Sequence, residues 1–226
     1  MTRLLALASA LLVCGCTHVA TPPQDVAERR VIYQAIADAL PRASLGWGDT
    51  PGVVEMAASV RNEPKPPEPE PLRCNERGFL IHYAAFRPHA QWIPYGAIRQ
   101  ASYGWQPFPN VVLAPLLVVP AQFVRATVVV DLARVPGLQE QLLADAERLE
   151  RVGRELGLGG PWSHAQTIKN KLAEDALEYG AGSLSIDFSY ITPVPAWLPA
   201  YGPARATAEA FAWAQAHPDE PVLPDE

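Results

Sequence analysis

Proline sets the terms on which this chain can be regular. Its 226 residues include 24 prolines, about twice the usual share of roughly 5%. Each one locks φ and removes a backbone donor, so helices and central strands must start, stop or bend around it. The sequence therefore predicts many loops and interrupted elements. Hydrophobic residues make up 49% of the chain, which suits a packed core and sets the chain apart from a disordered one. The formal net charge is −6. That mild acidity argues against a nucleic-acid partner, which needs a basic face.

The N-terminus carries an address. Arg3 gives a short positive segment, and Leu4 to Val13 is an unbroken run of apolar and small residues. The run has the length of a signal-peptide core and is too short for a bilayer-spanning helix, which takes roughly 20 residues. Val13-Cys14-Gly15-Cys16 follows: an aliphatic residue three before the final cysteine, a small residue beside it, then the cysteine. This pattern resembles the lipobox of bacterial lipoproteins. The resemblance implies that residues 1–15 are a cleaved signal peptide, that Cys16 carries the lipid, and that the chain is attached to a membrane through it. Residues 16–24 then read as a polar tether. Acyl chains contribute roughly 0.8 kcal/mol per buried methylene, and more than one makes anchoring stable. Thr17 stands where enteric-type lipoproteins of the inner membrane have aspartate. In a two-membrane cell the implied place is the outer membrane, facing the periplasm.

With Cys14 removed and Cys16 acylated, Cys74 is the one thiol left. It cannot form an internal disulfide, so the core alone must hold the domain. Cys74 reads as a nucleophile, an intermolecular bridge or, more commonly, a small buried hydrophobe.

The predicted fold class is α+β: a small antiparallel β-sheet or barrel packed with a long amphipathic helix, plus a mainly helical C-terminal region. Residues 25–160 form the α+β part and contain a charged proline-rich loop at 63–71. Residues 161–226 form the helical region with one strand at 183–191, packed on the same domain. Ile32, Ile36 and Leu40 mark a helix over Asp25–Leu40. Val53–Val60, Gly78–Phe86, Gln91–Tyr103 and Phe123–Leu132 are β-branched or aromatic runs that read as strands. Leu138, Leu142, Leu149 and Leu156 line one face of a helix over Gly137–Leu156, opened by Pro136 and closed by Gly157. Ile168, Leu172 and Leu177 lie at helical spacing within Ser163–Tyr179. Ser183–Ile191 alternates apolar Leu184, Ile186, Phe188 and Tyr190 with polar Ser183, Ser185, Asp187 and Ser189, the pattern of a half-buried strand. Pro203–Ala216 reads as an alanine-rich helix.

Strands closed by one amphipathic helix, with Trp92-Ile93-Pro94-Tyr95-Gly96-Ala97-Ile98 among them, resemble a bacterial pleckstrin-homology-like or GRAM-like domain over about 72–158. The resemblance implies a barrel-like fold that binds lipid head groups, peptides or sister subunits without chemistry. The chain has no basic loop cluster, so a phosphoinositide-type site does not carry over.

Trp105–Ala121 is the most apolar stretch after the signal, yet Pro107, Pro109, Pro115 and Pro120 deny it regular structure. It reads either as a connection buried under the C-terminal region or as an apolar contact loop. In the second reading Trp105, Phe108, Val112, Leu113, Leu116 and Leu117 meet a membrane leaflet or a partner groove.

Enzyme signatures are missing. There is no His-Glu-x-x-His, Gly-x-Ser-x-Gly or phosphate-binding lysine loop. His82, His89, His164 and His217 show no metal-ligand spacing. His164, Asp187 and a nearby serine are the one constellation that folding could assemble. No catalytic residue, cofactor or metal is expected. The chain reads as a binding protein, an accessory subunit of a cell-envelope complex with an envelope protein as partner. The alternatives are a lipid or hydrophobic-ligand binder and an envelope hydrolase.

Overall fold

The computed structural model describes residues 17–24, 29–45, 71–82, 90–105, 122–192 and 201–218. The protein is an α+β molecule. Its strands are β1 (Thr17–Val19), β2 (Ala43–Ser44), β3 (Gly78–His82), β4 (Ala90–Pro94), β5 (Ile98–Trp105), β6 (Gln122–Asp131) and β7 (Ser183–Thr192). Its helices are α1 (Arg29–Ala39), α2 (Leu138–Leu156), α3 (Gly159–Tyr179) and α4 (Gly202–Ala216).

The two strongest β runs make the centre. β6 and β7 pair antiparallel in unbroken register from Gln122 opposite Thr192 to Asp131 opposite Ser183. β5 and then β1 add on one side, and the short β2 adds on the other, giving the order β1-β5-β6-β7-β2. β3 and β4 form a separate hairpin. The described strands form an open sheet with β1 and β2 at its edges, so the barrel form of the expectation does not hold. The sheet also draws β1, β2 and β7 from outside 72–158, beyond the stretch with the barrel-like pattern. Residues 17–19, expected as tether, are an edge strand. The backbone N–H of Ala20 extends the contact by donating to Ala101 O at 2.9 Å.

α4 packs against β5, β6 and α1 on one face of the sheet. Val124, Ala126, Val128, Val130, Leu184, Ile186 and Phe188 point into that layer and are buried. Phe211 of α4 meets Phe188 of β7 and Phe79 of β3, each with ring centroids 5.1 Å apart. That contact locks the hairpin, helix and sheet into one core. On the other face lies α3, held to β7 through Ser185 and Asp175. β7 is thus covered on both sides over its first half. Ser183 and Ser185 are buried instead of solvated, so the half-buried strand of the alternation pattern exposes only its far end, at Ser189 and Ile191.

α2 and α3 fold back on each other as a helical hairpin that carries the chain from the end of β6 to the start of β7. Gly157, at φ +65°, closes α2 in the left-handed region that glycine adopts at no steric cost. A side chain on Gly153 would put its Cβ 3.0 Å from the backbone of Leu158 and Trp162. Glycine there lets the two helices meet directly after the turn. The predicted leucine face of α2 is buried at Leu138, Leu142 and Leu149, with Leu156 half-buried. In α3 the predicted face is only partly right. Ile168 is buried, but Leu177 is 89% exposed, and Asp175 takes the inward position seven residues after Ile168. The 91–103 run divides at Pro94: a single 3-10 turn over Tyr95–Ala97 separates β4 from β5. Val53–Val60 and the proline tract up to residue 70 lie outside the described residues.

His164 is buried in α3, and that burial lowers its pKa below the ordinary 6.5. The unfolded chain takes up a proton near pH 6.5 that the folded chain accepts only at lower pH. Stability should therefore fall as the pH drops below about 6.5. In urea titrations between pH 7.5 and 5.5, we expect the wild-type midpoint to decline with acidification and that of His164→Gln to decline less.

Candidate docking end of the sheet

Antiparallel register fixes which residues share each end of the sheet. Thr17 sits opposite Gly104, Trp105 opposite Val124, Val124 opposite Tyr190 and Gln122 opposite Thr192. These residues gather at one end, while Ile98, Asp131 and Ser183 gather at the other.

The first end is rich in aromatic groups. His18 stacks on Tyr103 with centroids 5.3 Å apart, and Tyr201, at the mouth of α4, turns towards both at 5.6 and 5.9 Å. Trp105 closes β5 on the same face and is half-buried against the core. The hydroxyls of Tyr190 and Thr207 share a hydrogen bond that ties β7 to α4. Arg42 lies over the Tyr190 ring, 5.4 Å from its centre, and donates to the Asp38 carbonyl at 2.9 Å. A cation on an aromatic face is held by the ring's negative potential. Between α1, the end of β7 and the start of α4 lies an open groove of about 590 Å³, lined in part by Asp38, Arg42, Tyr190, Ile191, Pro203 and Thr207. Pro203 starts α4, as proline does at a helix's first turn. Pro41 ends α1 and leads into the 3-10 turn that presents Arg42.

Of the residues predicted for a site, only Trp105 lies in this region of the described structure. Cys16, Phe108, Val112, Leu113, Leu116 and Leu117 lie outside the described residues. Sequence reasoning missed the groove. Arg42 carries no signal of its own in the sequence, and Tyr190 reads as an apolar position of an alternating strand. The packing of β7 against α4 and against the 3-10 turn Leu40–Arg42, which brings them together, has no local signal.

Among the described residues, the groups that resemble a nucleophile or its base make structural contacts. Asp187 accepts from Thr127 Oγ1 at 2.7 Å and from Arg125 at 3.2 Å, so both its oxygens are taken and it is not arranged to orient a histidine. Cys74 donates its thiol to the Tyr33 carbonyl at 3.2 Å. Burial pushes its pKa up, which keeps it a thiol at neutral pH and a poor nucleophile. Tyr95, buried beside it, is likewise shifted upward by burial.

A serine, a lysine and an aspartate do converge at Ser185, Lys171 and Asp175. Asp175 accepts from the Ser185 N–H at 2.6 Å, from Ser185 Oγ at 2.9 Å and from Lys171 at 3.1 Å, and Lys171 also donates to Ser185 Oγ. The group is largely enclosed, with Asp175 and Ser185 each 2% exposed. Its work is to fasten α3 to β7. Arg99 does the same at the far end. The register slips by one residue there, between Ile98 and Gln100. Arg99 then bonds Asp131, Ser183 Oγ and the carbonyl of Ala181 at 2.8–3.2 Å. A bulge commonly re-aims a side chain in this way. The hydrogen bonds and ion pair hold the Asp131 carboxyl below the usual carboxylate range.

Among the described residues, no three His, Cys, Asp or Glu side chains gather as a metal site would require. No described helix is long and apolar enough to cross a membrane. Comparison with protein-family models, with curated proteins and with solved structures finds no match.

Removing one member of the buried ion pair should be costly because it strands the others. We expect Asp175→Ala to lower unfolding free energy by about 3–5 kcal/mol, read by urea denaturation. The double variant Lys171→Met/Asp175→Leu should recover part of that loss.

Proposed function

We propose that this protein is a lipid-anchored lipoprotein of the outer membrane, facing the periplasm, that acts by binding an envelope protein. The lipobox-like Val13-Cys14-Gly15-Cys16 supports the anchor. The observation that carries binding is the groove at the sheet end. It combines an aromatic floor at Tyr190, a cation at Arg42 and apolar walls at Ala35 and Pro203. Aromatic and arginine side chains in a preformed recess are the groups that supply most of the affinity in protein interfaces. Pro203, at the rim, is exposed and gives an incoming side chain apolar area to cover.

The groove volume also favours a second reading. About 590 Å³ falls within the roughly 300–1,000 Å³ typical of small-molecule sites. An amphipathic ligand would lay its apolar part on Ala35 and Pro203 and its anionic part against Arg42.

A photo-crosslinking residue in place of Ala206, which lines the groove and is exposed, separates these readings in living cells. We expect one discrete protein adduct that disappears when Arg42→Glu is added. A lipid-sized adduct with the same dependence would favour the second reading. No adduct, or a smear insensitive to Arg42→Glu, would rule the groove out as the binding site.

A further inference from the structure

Three stretches of chain that look unrelated in the sequence meet the described structure at one place. Thr17 is already paired opposite Gly104 in the sheet, so Cys16 is one Cα–Cα step of about 3.8 Å away. β5 ends at Trp105 and β6 begins at Gln122, at that same end. β7 also ends there, at Thr192, and α4 begins there beside His18 and Tyr103, with Tyr201 at its N-cap. The two stretches that join these points, 106–121 and 193–200, contain no Asp, Glu, Lys or Arg.

We propose that this end of the sheet, formed by His18, Tyr103, Trp105, Phe123, Ile191 and Tyr201, lies directly on the phospholipid leaflet that holds the Cys16 acyl chains. The inference rests on the lipid-anchored reading above and adds to it an orientation. A body held through a flexible linker has a reach that grows with the number of free residues. Here strand pairing begins one residue after the anchor, and no such freedom remains. Acyl chains on Cys16 must therefore draw the sheet end to the head-group layer. The residues presented there suit that layer, because tryptophan and tyrosine pair an apolar body with a polar tip and favour the membrane–water boundary. A partner protein would not need the cluster to coincide with the anchor point; a leaflet does. β6 has ten residues at about 3.3 Å each, so the opposite end stands about 30 Å above the surface. Arg99, Asp131 and Arg134 at that end face away from the membrane, and the groove beside Arg42 opens close to it.

The test uses the full mature chain, purified from membranes, with its Cys16 acylation checked by mass. In a Cys74→Ala background, an environment-sensitive fluorophore is attached at Ile191→Cys or at Ala133→Cys. Ile191 is 66% exposed at the sheet end, and Ala133 is exposed at the far end. The protein is bound to phosphatidylcholine vesicles with and without a lipid carrying a nitroxide quencher near the head group. We expect the probe at 191 to shift to shorter wavelength and lose most of its emission to the quencher, while the probe at 133 stays unchanged. A probe at 191 that remains in water on acylated, vesicle-bound protein overturns the inference and leaves the anchor intact. So does quenching at both positions, or protection at 191 only after envelope proteins are added. Absence of an acyl group on Cys16 overturns the lipid-anchored reading itself, and the orientation with it. Hydrogen exchange on the unlabelled protein gives a second readout. Amides of 101–105 and 190–192 should slow on vesicles, and those of 131–135 should not; equal slowing or none contradicts the proposal.

Discussion

The ladder between β6 and β7 is the constraint on which the rest of the molecule hangs. It runs without a slip from Gln122–Thr192 to Asp131–Ser183, and it joins segments more than fifty residues apart in sequence. Once that register is set, the chain leaving Asp131 must return to Ser183 beside it. A pair of helices folded back on each other is a compact way to do so, and α2 and α3 fill that role. The same register places β5 and β1 on one flank and β2 on the other. It thereby decides which loops, termini and aromatic side chains share an end.

Both faces of this ladder are covered, but by different means. The α4 face is a conventional apolar core in which Phe188, Phe211 and Phe79 interlock. The α3 face is polar along β7, and burial there is tolerated because each group has partners. Ser183 is held by Arg99, Ser185 by Asp175 and Lys171, and Asp187 by Arg125 and Thr127. A buried carboxylate is stable only when its charge and lone pairs are met. That requirement explains why the residues that look most like chemistry are occupied in holding the fold together. It leaves the groove beside Arg42 as the part of the described surface best suited to recognition.

Much of the secondary structure was legible in the sequence because it rests on local pattern. The leucine face of α2, the β-branched run of β6 and the alternation of β7 are periodic, and Pro136, Gly157 and Pro203 mark boundaries where backbone chemistry requires them. The misreadings arise where tertiary context overrides the pattern. Leu177 continues a helical spacing yet points outward, because Asp175 is needed against Ser185. The serines of β7 look solvated, because alternation says which residues share a face and not what covers it. Residues 17–19 look like a tether, since a polar three-residue segment has no signal of its own until Gly104 offers it an edge. The sheet end was invisible for the same reason: His18, Arg42, Tyr103, Tyr190 and Tyr201 are far apart in sequence, and only strand order brings them together. Trp105 alone was singled out in advance, on the apolar character of the stretch it begins.

Both the anchor and the orientation of the sheet depend on a lipid at the residue that precedes β1. The decisive measurement is the intact mass of the protein extracted from membranes of cells that process bacterial lipoproteins, together with the mass of its N-terminal peptide. A lipid-anchored protein gives a chain that begins at Cys16 and carries acyl groups on it, with that mass lost in Cys16→Ser. An unacylated mature chain, or one cut at another position, would contradict the anchor.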